Sequence, residues 1–248
     1  MRLKGKVAVV SGGARGIGGA TAELLAKEGA KVAIGDLRAA EASATLGRIT
    51  GVGGDAVFVE TDVANEESAR RLVETAVERW GRLDVLVHAA GILKGATLLV
   101  DELDAAVFDE VIDVNLRGAF LCAKAAAAQM RRQRSGVMLL IASGAGVRGG
   151  SSSVAYGSSK GGVHGLSLVL APQLEPYGIR VHGICPGSLA TELKLDNVAD
   201  VARARGEDPV AARERAAREL GDPMGVARVL AFLASDDADY VRGTVFTR

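Results

Sequence analysis

The chain has 248 residues, a length that suits one α/β domain or two small ones. Lys+Arg and Asp+Glu are 30 each, so there is no net charge to recommend nucleic acid or an anionic membrane as a partner. No apolar run reaches the roughly 18 residues of a bilayer span, and the apolar run near the N-terminus is too short for a secretory signal. Cys122 and Cys185, the only cysteines, read as reduced thiols rather than a disulfide, so a cytoplasmic protein is expected.

Aromatics are 4% of the residues, so Ala, Val, Leu and Ile must build the core. Lys6 to Ser11, KVAVVS, reads as a buried strand. The glycines Gly12, Gly16 and Gly18 follow, and then a helical pattern through Ile17, Ala20, Leu24 and Leu25. A strand that turns through glycines into a helix N-terminus offers backbone N–H groups and the positive end of the dipole to a pyrophosphate. The alternative is a glycine-rich turn without a ligand. The strand before and helix after favour nucleotide binding.

Lys31 to Asp36 is a second buried strand, ending in a carboxylate about 20 residues past the glycines, followed by Leu37. A carboxylate there accepts bonds from ribose hydroxyls and repels a 2′-phosphate, which favours NAD. Arg15 and Arg38 weigh toward NADP, though less heavily. Ala56 to Glu60 alternates as a third strand, and Asn65 caps an amphipathic helix to Trp80. Val85 to Val87 is a fourth strand, with His88, Ala89, Ala90 and Gly91 after it. Asp109 to Met130 is expected as one long helix, with Asn115 an unfavourable interior residue that needs a reason.

Val137 to Ala142 is a fifth strand, ending at Ser143. Tyr156 and Lys160 then stand four apart, on one face if the segment from Val154 to Leu170 is helical. An ammonium beside a phenol lowers its pKa and suits it to proton transfer, although a half-buried Tyr and a surface Lys would leave the same spacing. Ile179 to Ile184 is a sixth strand, leading into Pro186, Gly187, Ser188, Leu189, Ala190 and Thr191. Residues 188–222 are charged and poor in apolar stripe, and are expected as a mobile surface excursion. A helix over Val226 to Ala234 and a strand over Gly243 to Phe246 close the chain. Alternating strands and helices without an internal linker predict one doubly wound α/β unit over residues 1–248.

Together these pieces resemble the short-chain dehydrogenase/reductase family. The resemblance rests on SGGARGIG at 11–18, Asp62-Val63, HAAG at 88–91, Asn115, Ser143, YGSSK at 156–160, PGSLAT at 186–191 and FLASDDADYVRG at 232–243. It implies a Rossmann fold with a seven-stranded parallel sheet and a nicotinamide cofactor, NAD rather than NADP if Asp36 decides. It also implies Tyr156 as general acid/base, Ser143 as donor to the substrate oxygen, Lys160 on the nicotinamide ribose and Asn115 holding a water. Gly12, Arg15, Gly16, Ile17, Gly18, Asp36 and Leu37 would take the phosphates and ribose. Asp62, Val63, Ala89, Ala90 and Gly91 would lie along the adenosine. Pro186, Gly187, Leu189 and Thr191 would wrap the nicotinamide end, with 188–222 as the substrate loop.

The chain departs from the family pattern at three places. His88 and Ala89 replace two asparagines, His182 replaces another, and the usual Asp-Gly-Gly after the last strand is absent before Thr247-Arg248. Both histidines are read as structural, with His88 tying neighbouring strands. Family members pair helices about two-fold axes, so a homodimer or homotetramer is expected, with Val163, Leu166 and Val169 facing outward. The function implied is hydride transfer between NAD(H) and a secondary alcohol or ketone. The alternatives are an NADP(H)-dependent reductase of acyl groups on a carrier protein, and a nucleotide-sensing binding protein without turnover.

Overall fold

A computed structural model describes residues Met1–Arg248. Seven strands form one parallel sheet: β1 (Val7–Ser11), β2 (Lys31–Asp36), β3 (Ala56–Glu60), β4 (Val85–His88), β5 (Gly136–Ile141), β6 (Ile179–Cys185) and β7 (Val245–Phe246). Their order is β3-β2-β1-β4-β5-β6-β7. Chain progression reverses between β1 and β4, which opens a crevice at the strands' carboxyl ends.

Helices cover both faces, which explains why the central strands are apolar without alternation. Ala8 and Val10 of β1 face helices α1 (Gly16–Lys27), α2 (Ala39–Thr50) and α9 (Pro223–Ala234) in one core. Val7 and Val9 face α3 (Glu66–Trp80), α5 (Gly118–Gln133) and α6 (Val154–Leu174) in the other. Asn65 caps α3 as expected, accepting from Ser68 N at 3.0 Å.

Three expectations change. The stretch expected as one helix over 109–130 is α4 (Ala105–Ile112), a π-helical turn over Asp113–Arg117, and α5. The second concerns α6, which runs on to Leu174; its Val163 is fully buried, and its outward apolar residues are Val154, Leu168 and Val169. The third is the segment 188–222, which is ordered into α7 (Glu192–Ala204) and α8 (Pro209–Glu219). Thr191 and Asp208 cap these two helices, and alanines bury their shared side. Arg213 bridges them by pairing with Glu192 and Asp196. An alanine seam lets helices approach closely while leaving little apolar stripe in the sequence.

His88 is the strut anticipated from the sequence. Its Nδ1 lies 2.8 Å from Ser11 Oγ, joining β4 to β1 at the crevice. Its Nε2 has no hydrogen-bond partner, and the ring is fully buried. Burial first, and the Lys160 charge second, pull its pKa down to about 3. His182 is also buried, with Nδ1 3.2 Å from the Gly243 carbonyl. Cys122 and Cys185 are both buried and unbridged, and burial pushes the Cys122 thiol up to about 12.

The His88 pKa has a consequence for stability. As pH falls below about 6.5 the unfolded chain takes up a proton there that the native ring refuses until about pH 3, so stability falls across that window. His88→Asn removes this loss. In urea titrations the drop in stability between about pH 7.5 and pH 5 should be smaller in the variant by roughly 2 kcal/mol.

Candidate active site

The crevice begins at the glycine turn after β1. Gly12 has φ +70°, and a side chain there would run into the backbone of Ala90. A side chain on Gly18 would strike the Gly12 carbonyl, so a glycine is needed for helix α1 to start this close to the strand end. The turn leaves a cradle at the N-terminus of α1, which carries no side-chain cap. Its geometry and chemistry fit a dinucleotide phosphate.

Around the cradle is a cavity of about 280 Å³. Gly12, Arg15, Gly16, Ile17 and Gly18 line its floor. Asp36, Leu37, Asp62 and Val63 line one side, and Ala89, Ala90 and Gly91 another. The Asp36 side chain is only 10% exposed; its Oδ2 accepts from Ala14 N at 3.1 Å and its Oδ1 from Arg38 N at 3.1 Å. The Arg38 guanidinium stands 4.0 Å from the same carboxylate and 3.9 Å from Glu41.

A second cavity of about 400 Å³ adjoins it, sharing Ile17, Ala89, Gly91, Thr191 and Leu193. Ser143, Tyr156 and Lys160 line this one, with Pro186, Gly187 and Leu189 across from them. Ser143 lies just past the end of β5, and the other two come from consecutive turns of α6. Ser153 caps that helix, accepting from Tyr156 N at 3.2 Å, and its hydroxyl donates to the Lys94 carbonyl at 2.6 Å.

Lys160 is 3% exposed. Its Nζ donates to the Ile141 carbonyl at 2.8 Å, leaving further N–H groups for a ligand. Burial pulls its pKa down to about 8. The ammonium lies 5.8 Å from the centre of the Tyr156 ring. Burial pushes the Tyr156 phenol above its ordinary value, while the Ser143 hydroxyl opposes the rise. A depressed phenol pKa was expected from Lys160, and the protein's own groups do not produce it. The ammonium is aimed at a carbonyl, and desolvation of the phenolate dominates.

Asn115 lines neither cavity and is fully buried behind them. Its Oδ1 accepts from Ile92 N at 2.8 Å, and its Nδ2 donates to the Ile92 carbonyl and to Ser159 Oγ, both at 2.9 Å. Ser159 Oγ in turn donates to the Tyr156 carbonyl at 2.8 Å. The side chain thus clamps the loop after β4 to the helix that carries Tyr156 and Lys160, which supplies the reason for an Asn in this position. The π turn alters the helix register at this point. Sequence reasoning missed Ser159, and it missed Arg148, Lys194 and Asn197, which line the second cavity. The only available signal for Ser159 was its place one turn after Tyr156.

Comparison with known proteins agrees with this architecture. The family model described as short chain dehydrogenase matches residues 6–202. Tropinone reductase-like 1 from Erythroxylum coca is 40% identical over 244 residues, 98% of this chain and 88% of that protein. A 3-oxoacyl-[acyl-carrier-protein] reductase from Synechocystis is 36% identical, covering 98% of this chain and 95% of its own. The crystal structure of an NAD+-bound xylitol dehydrogenase superposes with a TM-score of 0.91 at 31% identity, over 99% of this chain and 98% of that one. The chain therefore belongs to the short-chain dehydrogenase/reductase family, whose members are oxidoreductases acting on CH–OH groups. No helix is long and apolar enough to cross a membrane.

Asn115→Leu leaves the part-buried Ile92 N–H and carbonyl, and the buried Ser159 hydroxyl, without their partner. It should destabilise the protein by roughly 2–4 kcal/mol in urea denaturation, given about 1–3 kcal/mol per orphaned buried group.

Proposed function

We propose that the protein is an NAD(H)-dependent oxidoreductase that moves a hydride between the cofactor and a small secondary alcohol or ketone. The observation that carries this reading is the joining of two cavities, one built on the glycine cradle and the other lined by Ser143, Tyr156 and Lys160. A nucleotide-sensing protein would need only the first. Residues 1–248 act on this reading as one Rossmann unit.

When bound, the nicotinamide supplies a hydride acceptor, or a donor in the reverse direction. The protein's residues manage the proton. In oxidation the Tyr156 phenolate takes the proton of the substrate hydroxyl as the carbinol carbon gives up hydride, leaving a ketone and a neutral phenol. Ser143 donates to the reacting oxygen, where charge develops. Lys160 would hold the ribose hydroxyls and offer positive charge to the phenolate. Asn115 acts through the helix it clamps.

Asp36 supports NAD over NADP. A 2′-phosphate would have to sit against a carboxylate that is nearly buried and already engaged by two backbone N–H groups. Paired titrations should show NAD binding more tightly by about tenfold or more, and Asp36→Ala should narrow the gap. Equal or tighter NADP binding would return attention to Arg15 and Arg38, and to the reductases of carrier-bound acyl groups.

Removal of a general base costs about 10²–10⁴-fold in rate. Tyr156→Phe should lose that much turnover while retaining NAD affinity. Ser143→Ala should lower turnover at nearly unchanged NAD affinity, and Lys160→Ala should damage both. Oxidation requires the phenolate, whose formation burial opposes, so the oxidative rate should rise with pH above neutrality and the reductive rate fall, until loss of the Lys160 charge above about pH 8 offsets the gain. Near-normal rates in Tyr156→Phe would transfer the role of base to another group.

A homodimer or homotetramer is also proposed. Leu168 and Val169 on α6 are 51% and 59% exposed, and Phe120 on α5 is 47% exposed, an apolar surface that a partner copy would cover. Light scattering at micromolar concentration should give at least twice the 25.5 kDa chain mass.

A further inference from the structure

The catalytic cavity is charged in one sense only. Lys160, Arg148 and Lys194 line it, and no Asp or Glu does. The bias is local, because the chain carries no net charge and the adjoining cavity mixes Asp36, Asp62 and Glu192 with Arg15 and Arg38. Lys160 has a partner and a catalytic assignment. Arg148 and Lys194 have neither, and take part in none of the chain's ion pairs. The Arg148 guanidinium lies over the Phe246 ring, 3.5 Å from its centre, so its place is fixed without its charge being neutralised.

An independent observation comes from Asn197 of α7, which lines the same cavity. It is 3% exposed. Its Oδ1 accepts from Ser152 Oγ at 3.2 Å, but its Nδ2 has no acceptor. A buried amide donor left unpaired costs free energy, and native proteins rarely leave one without a purpose. The cofactor phosphates have their own donors in the glycine cradle of the other cavity. Two unpaired cations and an unpaired amide donor therefore remain for the substrate.

We propose that the part of the cavity bounded by Arg148, Lys194 and Asn197 is an anion subsite, and that the substrate is an alcohol or ketone bearing a carboxylate or phosphate away from its reacting carbon. Both groups match a guanidinium fork with paired N–H···O bonds, and both accept from an amide. The anion would hold the far end of the molecule and so present the carbinol carbon to Tyr156 and Ser143. The proposal rests on the hydride-transfer reading for the identity of the reacting group, but the anion preference can be measured without turnover.

Calorimetric titration of the protein saturated with NADH should compare cyclohexanecarboxylate, cyclohexyl phosphate and the neutral cyclohexanecarboxamide. At least one anion should bind about tenfold or more tightly than the amide, an advantage that shrinks with added salt. The stronger of the two anions identifies the substrate's acidic group. Arg148→Met should abolish most of the preference and Lys194→Met part of it, with unchanged circular dichroism and melting temperature, since neither side chain is buried. Binding of both anions no tighter than that of the amide, or a preference that survives in the double variant, would overturn the subsite. Failure of the hydride-transfer reading would look different: the anion preference would stand, and no acidic or neutral alcohol would yield NADH.

Discussion

A buried ammonium constrains the site. Lys160 is almost wholly withdrawn from water, with one carbonyl as its fixed partner, and desolvation pulls its pKa down to about 8. Holding a charge there needs a rigid surround. The end of β5 supplies the Ile141 carbonyl, and the π turn supplies Asn115, which ties the loop after β4 to α6. Burial foremost, and the same charge after it, depress His88, so the strut between β1 and β4 is neutral. Below about pH 8 Lys160 is charged and can serve a ligand's oxygens; above it, the ammonium is progressively lost.

Electrostatics divide the crevice into two parts. The half around the glycine cradle mixes carboxylates, Asp36 at the strand end among them, with Arg15 and Arg38. In the half lined by Ser143, Tyr156 and Lys160, the charged side chains are all cations. Within it the phenol of Tyr156 sits above its ordinary pKa, because burial outweighs the Ser143 hydroxyl. In the protein alone, burial therefore favours the protonated phenol.

Much of this was legible in the sequence. The strands announce themselves as short apolar runs, because a parallel sheet covered on both faces leaves no polar side to hide the signal. The glycine turn, the acidic strand end and the Tyr–Lys spacing are local features, and their residues line two connected cavities. The π turn was not legible, because one extra residue in a helical turn changes the backbone register and leaves the surrounding apolar spacing intact. Helices α7 and α8 were hidden for another reason: their seam is alanine, which packs closely but adds little to an apolar stripe. Val163 was assigned outward because helical periodicity gives faces and not neighbours. The direction of the Tyr156 shift was also missed, since desolvation depends on what surrounds a residue in space.

Spectrophotometric titration of the phenol tests the central claim most directly. Tyrosinate absorbance of the wild-type protein minus that of Tyr156→Phe isolates one of the three tyrosines. The account predicts a midpoint above the ordinary value of about 10 for the protein alone, and a clear fall once saturating NAD+ brings its positive ring into the crevice. A midpoint already below 10 without the cofactor, or one that NAD+ leaves unmoved, would contradict it.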